Sequence, residues 1–138
     1  MRTKPTDCVL SKLLAELVDA REGRCFANCA RAFLYFREKL PADAEYVEGF
    51  WMVGGQSEPH AWIETEEAII DPTLKVRDST YPFNGRSDAV LRSSWSEVIQ
   101  HYEGKEIEAG VRLNPISDER ADPDEVARVS REFDPGGP

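Results

Sequence analysis

The sequence predicts an α+β fold in which N-terminal helices pack on a small antiparallel β-sheet. Two observations carry that expectation. From about residue 10 to residue 39, apolar residues recur at helical spacing. From residue 46 to residue 71 the chain changes to short aromatic and β-branched runs separated by polar turns.

Leu10, Leu13, Leu14, Leu17 and Val18 form the apolar stripe of a first helix. Thr6 or Asp7 can cap its start, and Gly23 can end it in a left-handed turn. A second helix is predicted from about Cys25 to Lys39, with Phe26, Cys29, Ala30, Phe33 and Phe36 or Leu34 on its stripe. Leu40-Pro41 stops it, because the residue before proline is pushed out of helical geometry. Tyr46 to Val53 reads as a strand ending at Gly54-Gly55, and His60 to Glu64 as a second. Ala68 to Asp71 returns as a third after a short polar turn, and Asp71-Pro72-Thr73 breaks it. Residues 75 to 92 are polar, include Pro82, Asn84 and Gly85, and read as a long loop. Ser94-Trp95-Ser96-Glu97 is a capping-box pattern that opens a short helix to about Tyr102. Ile107 to Leu113 reads as one more strand, and Asp122-Pro123-Asp124-Glu125 opens a last helix with Val126 and Val129 inward. A single domain over residues 1–133 is expected, with 134–138 a frayed tail.

A chain of 138 residues is long enough for one core and too short for two. Its formal net charge is -9, and a polyanion gains nothing from phosphate backbones, so no nucleic-acid partner is expected. No stretch approaches the roughly 20 apolar residues of a membrane span, so no membrane partner is expected. The first residues read as an amphipathic helix and not as a signal peptide, which makes the cytoplasm the expected location. Three cysteines, an odd number without a secretory signal, are expected to be reduced thiols.

Gly23-Arg24-Cys25-Phe26-Ala27-Asn28 places the Cys25 thiol in the first turn of a helix. Unpaired backbone N–H groups and the positive end of the helix dipole lie there, and both favour thiolate over thiol. The same N–H groups are candidate donors to an oxyanion, and Arg24 adds a nearby positive charge. A cysteine nucleophile needs a base, and the base needs an orienting partner. His60 supplies the base. A two-residue loop at Thr65-Glu66, or a four-residue loop from Glu64 to Glu67, sets His60 directly opposite Asp71 on one face of the sheet. A three-residue loop would oppose Ala61 to Asp71 instead.

Cys25 opening a helix, a strand beginning His60-Ala61-Trp62 and a partner ending Ile70-Asp71-Pro72 resemble the transglutaminase-like proteins. These belong to the wider papain-like set of cysteine peptidases and acyltransferases. The resemblance covers about residues 20 to 75. It implies a papain-like core and a thiol-dependent hydrolase or acyl transferase acting on the amide group of a peptide or protein, without a cofactor. Carried over, Cys25 attacks the carbonyl, His60 shuttles the proton and Asp71 orients His60. The chain departs from the family where a Gln or aromatic oxyanion donor usually precedes the cysteine. Asp19, Ala20 and Arg21 occupy that region here, and Gln56, before His60, is the candidate substitute. Trp62 shares a strand face with His60 and is a candidate wall of the substrate site.

Competing readings attach to the same residues. The family fold can persist as a catalytically inactive protein-binding module. Cys25 and Cys29 with His60 and Asp71 could be read as four metal ligands, but the tight C-x2-C knuckle of structural zinc sites is absent, and no metal is expected. Cys8 and Cys29 read as core packing. His101, late in a helix, reads as a helix-end cation.

Overall fold

Capping decides where the first helix begins. The Asp7 carboxylate accepts a hydrogen bond from the Leu10 N–H at 3.0 Å and starts α1, Cys8–Leu17. The computed structural model describes residues 4–53, 56–73 and 88–133. The left-handed residue that ends α1 is Asp19, at φ 54°, and not Gly23. Gly23, at φ 72°, serves the turn that leads into α2, Cys25–Tyr35. The second helix is shorter than predicted, because its continuation is a 3-10 turn over Arg37–Lys39. Strands β1, Glu45–Val53, and β2, Gln56–Glu64, pair along their whole length. Strand β3 is only Ile69–Ile70, and β4 is Asp88–Ser93. The capping box of α3, Trp95–Tyr102, forms as predicted, with both Ser94–Glu97 bonds made. α4, Ser117–Arg120, and α5, Pro123–Phe133, complete the chain.

The four strands form one antiparallel sheet in the order β3-β2-β1-β4. With five α-helices among the described residues, the fold is α+β. Leu14, Ala15 and Val18 of the first helical region and Cys29, Ala32 and Phe33 of α2 pack against Tyr46, Ala61, Ile63 and Ile70. Val47, Trp62 and Ile69 cluster separately, as alternation along a strand requires. Phe50 and Val129 are both buried in a third cluster, so α5 turns its apolar face to the sheet as expected.

Three expectations are corrected. The predicted loop over 75–92 ends early, because residues 88–93 pair with β1 as β4; the stretch 74–87 lies outside the described residues, as does the tail 134–138. Residues 107 to 113 do not form a strand. Their backbone groups are taken by side chains: Tyr35 accepts from the Ile107 N–H at 2.8 Å, Arg31 donates to the Ile107 carbonyl at 2.5 Å, and Arg24 donates to the Gly110 carbonyl at 3.3 Å. Gly110 at φ 71° also breaks any extended run. Cys8 is exposed rather than packed in the core, whereas Cys29 is fully buried.

The register of β2 with β3 also differs from both expected loops. The turn is Glu66-Glu67, closed by a backbone bond from Thr65 N–H to the Ala68 carbonyl at 2.9 Å. The Thr65 hydroxyl accepts from the N–H groups of Glu67 and Ala68, and Asp43 accepts from that of Glu66. Ile63 therefore faces Ile70, and Glu64 faces Ile69. Continued past Ile70, this register sets Asp71 opposite Trp62 and one diagonal step from His60. Ile69 is locked from its other side by Asp7 and Pro5, through two backbone bonds of 2.8 Å.

Candidate active site

The sequence places a histidine on one strand and an aspartate directly after its partner β3, and parity does the rest. A shift of the pairing by two residues leaves both side chains on the same side of the sheet. Diagonal neighbours remain within reach of long side chains. His60 Nε2 accordingly lies 2.9 Å from Asp71 Oδ2, and each residue is 1 % exposed. The pair is direct although the register that was expected to produce it is not the one formed.

Asp71 is fixed on every side. Its Oδ1 accepts from the Thr73 N–H at 2.9 Å, within the turn that Pro72 enforces. Its own N–H donates to the Ser11 hydroxyl of α1 at 2.8 Å. Sequence reading missed Ser11. Its signal was a polar residue on the helix face shared with Leu14, Ala15 and Val18, all buried. Asn28 was missed for the same reason, being a buried amide on α2. Its Oδ1 accepts from the Arg21 N–H at 3.0 Å, and its Nδ2 donates to the Arg21 carbonyl at 2.9 Å and to the Thr73 hydroxyl at 3.3 Å. One side chain thus ties the loop before α2, the helix itself and the Asp71 turn together.

Cys25 is the first residue of α2 and is partly exposed. It lines the same cleft as His60. Burial pushes the imidazole down, but the charge and hydrogen bond of Asp71, with Cys25 adding to them, outweigh it and raise His60 to about 9. Cys29, one turn on, faces the core. Burial pushes its thiol well above its ordinary value, and the charges of Asp71, Cys25 and Glu48 push the same way. Arg24 makes no side-chain cap at the start of α2, unlike Asp7 at α1.

Cys25 and His60 sit on a cleft of about 330 Å³ whose lining also includes Gly23, Phe26, Glu58, Pro59 and Thr73. Trp62 is fully buried, and its ring stacks with that of His60 at 6.1 Å and 23°. The indole N–H donates to Glu64 at 3.1 Å. Glu64 also accepts from Lys4 at 3.1 Å and Arg92 at 2.6 Å. Burial opposes its ionisation, but the bonds from Trp62, Arg92 and Lys4 hold its carboxyl below the ordinary value. His60 therefore rests on an aromatic ring that is itself clamped. Gln56 opens β2 opposite Val53, and its side chain lies outside the described residues. His101 stands apart in the last turn of α3, 3.8 Å from Glu119.

Among the described residues no group of three or more His, Cys, Asp or Glu side chains is arranged to hold a metal, and no helix is long and apolar enough to cross a membrane. The chain matches no protein-family model, no curated protein and no solved structure.

Proposed function

We propose that the protein is a thiol-dependent hydrolase or acyl transferase that acts on an amide bond, on a transglutaminase-like, papain-like core. The observation that carries this reading is a buried His60–Asp71 pair at 2.9 Å whose histidine lines one open cleft together with the helix-start Cys25. A merely structural histidine has no need of a thiol at the solvent side.

In the proposed cycle the Cys25 sulfur bonds to the carbonyl carbon, and His60 holds the thiol proton at Nδ1. The oxyanion meets the backbone N–H groups of the first turn of α2, where no side chain of Arg24 caps them. His60 then gives its proton to the amide nitrogen, the C–N bond breaks, and the amine leaves a thioester on Cys25. Water or a second amine attacks the thioester carbonyl as His60 takes the incoming proton; the C–S bond breaks, the acid or new amide leaves, and His60 returns the proton to the Cys25 sulfur. Asp71 keeps Nε2–H engaged throughout, so the proton exchange with the sulfur is assigned to Nδ1. Trp62 and Glu64 act as positioning residues behind the ring.

Site-resolved labelling with iodoacetamide at pH 6 tests the pair, with exposed Cys8 as an internal reference thiol. Cys25 is expected to react about 100-fold faster than Cys8, a base-assisted magnitude, and to lose that advantage in His60→Ala. Equal rates for the two thiols, or an advantage that survives without His60, would overturn the reading and favour a binding module.

A further inference from the structure

Resting on the reading of Cys25 as the nucleophile, we propose that the reaction cleft continues past Phe26 into a carboxylate subsite, so that the favoured substrate is a peptide-like amide bearing an acidic group. A second hollow of about 180 Å³ is lined by Gly23, Arg24, Phe26, Ala27, Arg112 and Leu113. It shares Gly23 and Phe26 with the reaction cleft, so one bound molecule can occupy both.

The charged side chains on this hollow are both arginines. Arg24 is half-buried, and its guanidinium is fixed by the carbonyls of Gly110 at 3.3 Å and Gly23 at 3.0 Å. Those bonds use part of a five-donor fork and leave its charge uncompensated. Arg112 is exposed. Among the described residues neither arginine forms an ion pair, whereas nearby Arg21 is taken by Asp19 at 2.7 Å. The lining of this hollow brings the two arginines together and includes no carboxylate. A planar guanidinium suits a carboxylate in two-point geometry, which a lysine would not supply. Glu58 lines the reaction cleft but not this hollow, so the acidic group is directed to the arginine side.

Two matched thiol probes test the subsite: N-iodoacetyl-glycine, which carries a carboxylate, and N-iodoacetyl-glycinamide, its neutral isostere. At low ionic strength the acid is expected to label Cys25 about fivefold faster than the amide, a ratio in the range of a partly screened ion pair. The ratio falls towards one in Arg112→Gln, in Arg24→Met and in high salt. A ratio near one in the native protein, or one unchanged by both substitutions, would overturn the subsite. A thiol that reacts with neither probe would overturn the proposed nucleophile instead. The subsite is then read in Cys25→Ala by titrating N-acetylglycine against the Arg24 and Arg112 Nε–H resonances. Saturable shifts that vanish in Arg112→Gln uphold it, and their absence overturns it.

Discussion

Cys8 is the first residue of α1 and Cys25 the first residue of α2, so both thiols stand where a helix presents its unpaired N–H groups. Their surroundings differ in every other respect. Beside Cys8 the Asp7 carboxylate caps the helix, and the thiol is exposed. Beside Cys25 stands Arg24, which provides no cap, and the thiol shares a cleft with a histidine backed by a buried aspartate. A helix start is therefore a common position for a cysteine, and the imidazole across the cleft is what separates the two.

Removing the orienting carboxylate should break that contrast most severely. Asp71→Ala leaves a buried imidazole without its charge partner and the Thr73 N–H without its acceptor, while the backbone bond to Ser11 stays. Loss of one member of a buried ion pair costs about 3–5 kcal/mol. Urea denaturation at pH 6 should show a loss of that size, with labelling of Cys25 reduced to the Cys8 rate; an unchanged midpoint would mean that the pair is not formed.

The pH dependence sharpens the comparison from the other direction. His60 is raised from 6.5 to about 9 in the folded protein. A raised folded value contributes stability that is complete below the unfolded value and lost as pH rises through the folded one. Between about pH 6.5 and 9 the native protein should thus lose about 3 kcal/mol that His60→Gln does not lose. Parallel stability curves for the two proteins would show that the imidazole does not hold its proton more tightly when folded.

The smallest effect belongs to the other cysteine's helix. Asp7→Ala removes the α1 cap and should cost about 1 kcal/mol by denaturation. The Cys25 labelling rate should keep its dependence on His60 in that variant, because Asp7 stands at the reference thiol. A collapse of Cys25 reactivity would instead show that α1, through the Ser11–Asp71 bond, must be fully formed for the site to hold.

Much of this was legible in the sequence because it is local. The apolar stripe of α1, the capping box of α3 and the proline after Asp71 are each set within one or two turns of chain. The pairing of His60 with Asp71 was legible too, since residue types and strand parity survive a change of register by two. Cys8 was misread because helical spacing locates a residue on a face without saying whether another element covers that face. Residues 107 to 113 were misread because an apolar run does not reveal that Arg24, Arg31 and Tyr35 will claim its backbone.

The sequence by itself determined where α1, α2, α3, α5 and β1 to β3 lie, and the strand parity that puts His60 and Asp71 on one face of the sheet. Only the tertiary structure decided the register of β3, the seating of Asp71 on Ser11, the Asn28 tie between loop, helix and turn, and the two arginines beside Phe26. The physical reason is distance along the chain. Periodicity and capping act over a few residues, whereas register and site geometry are settled by bonds such as Ser11 to Asp71 and Arg24 to Gly110, 60 and 86 residues apart.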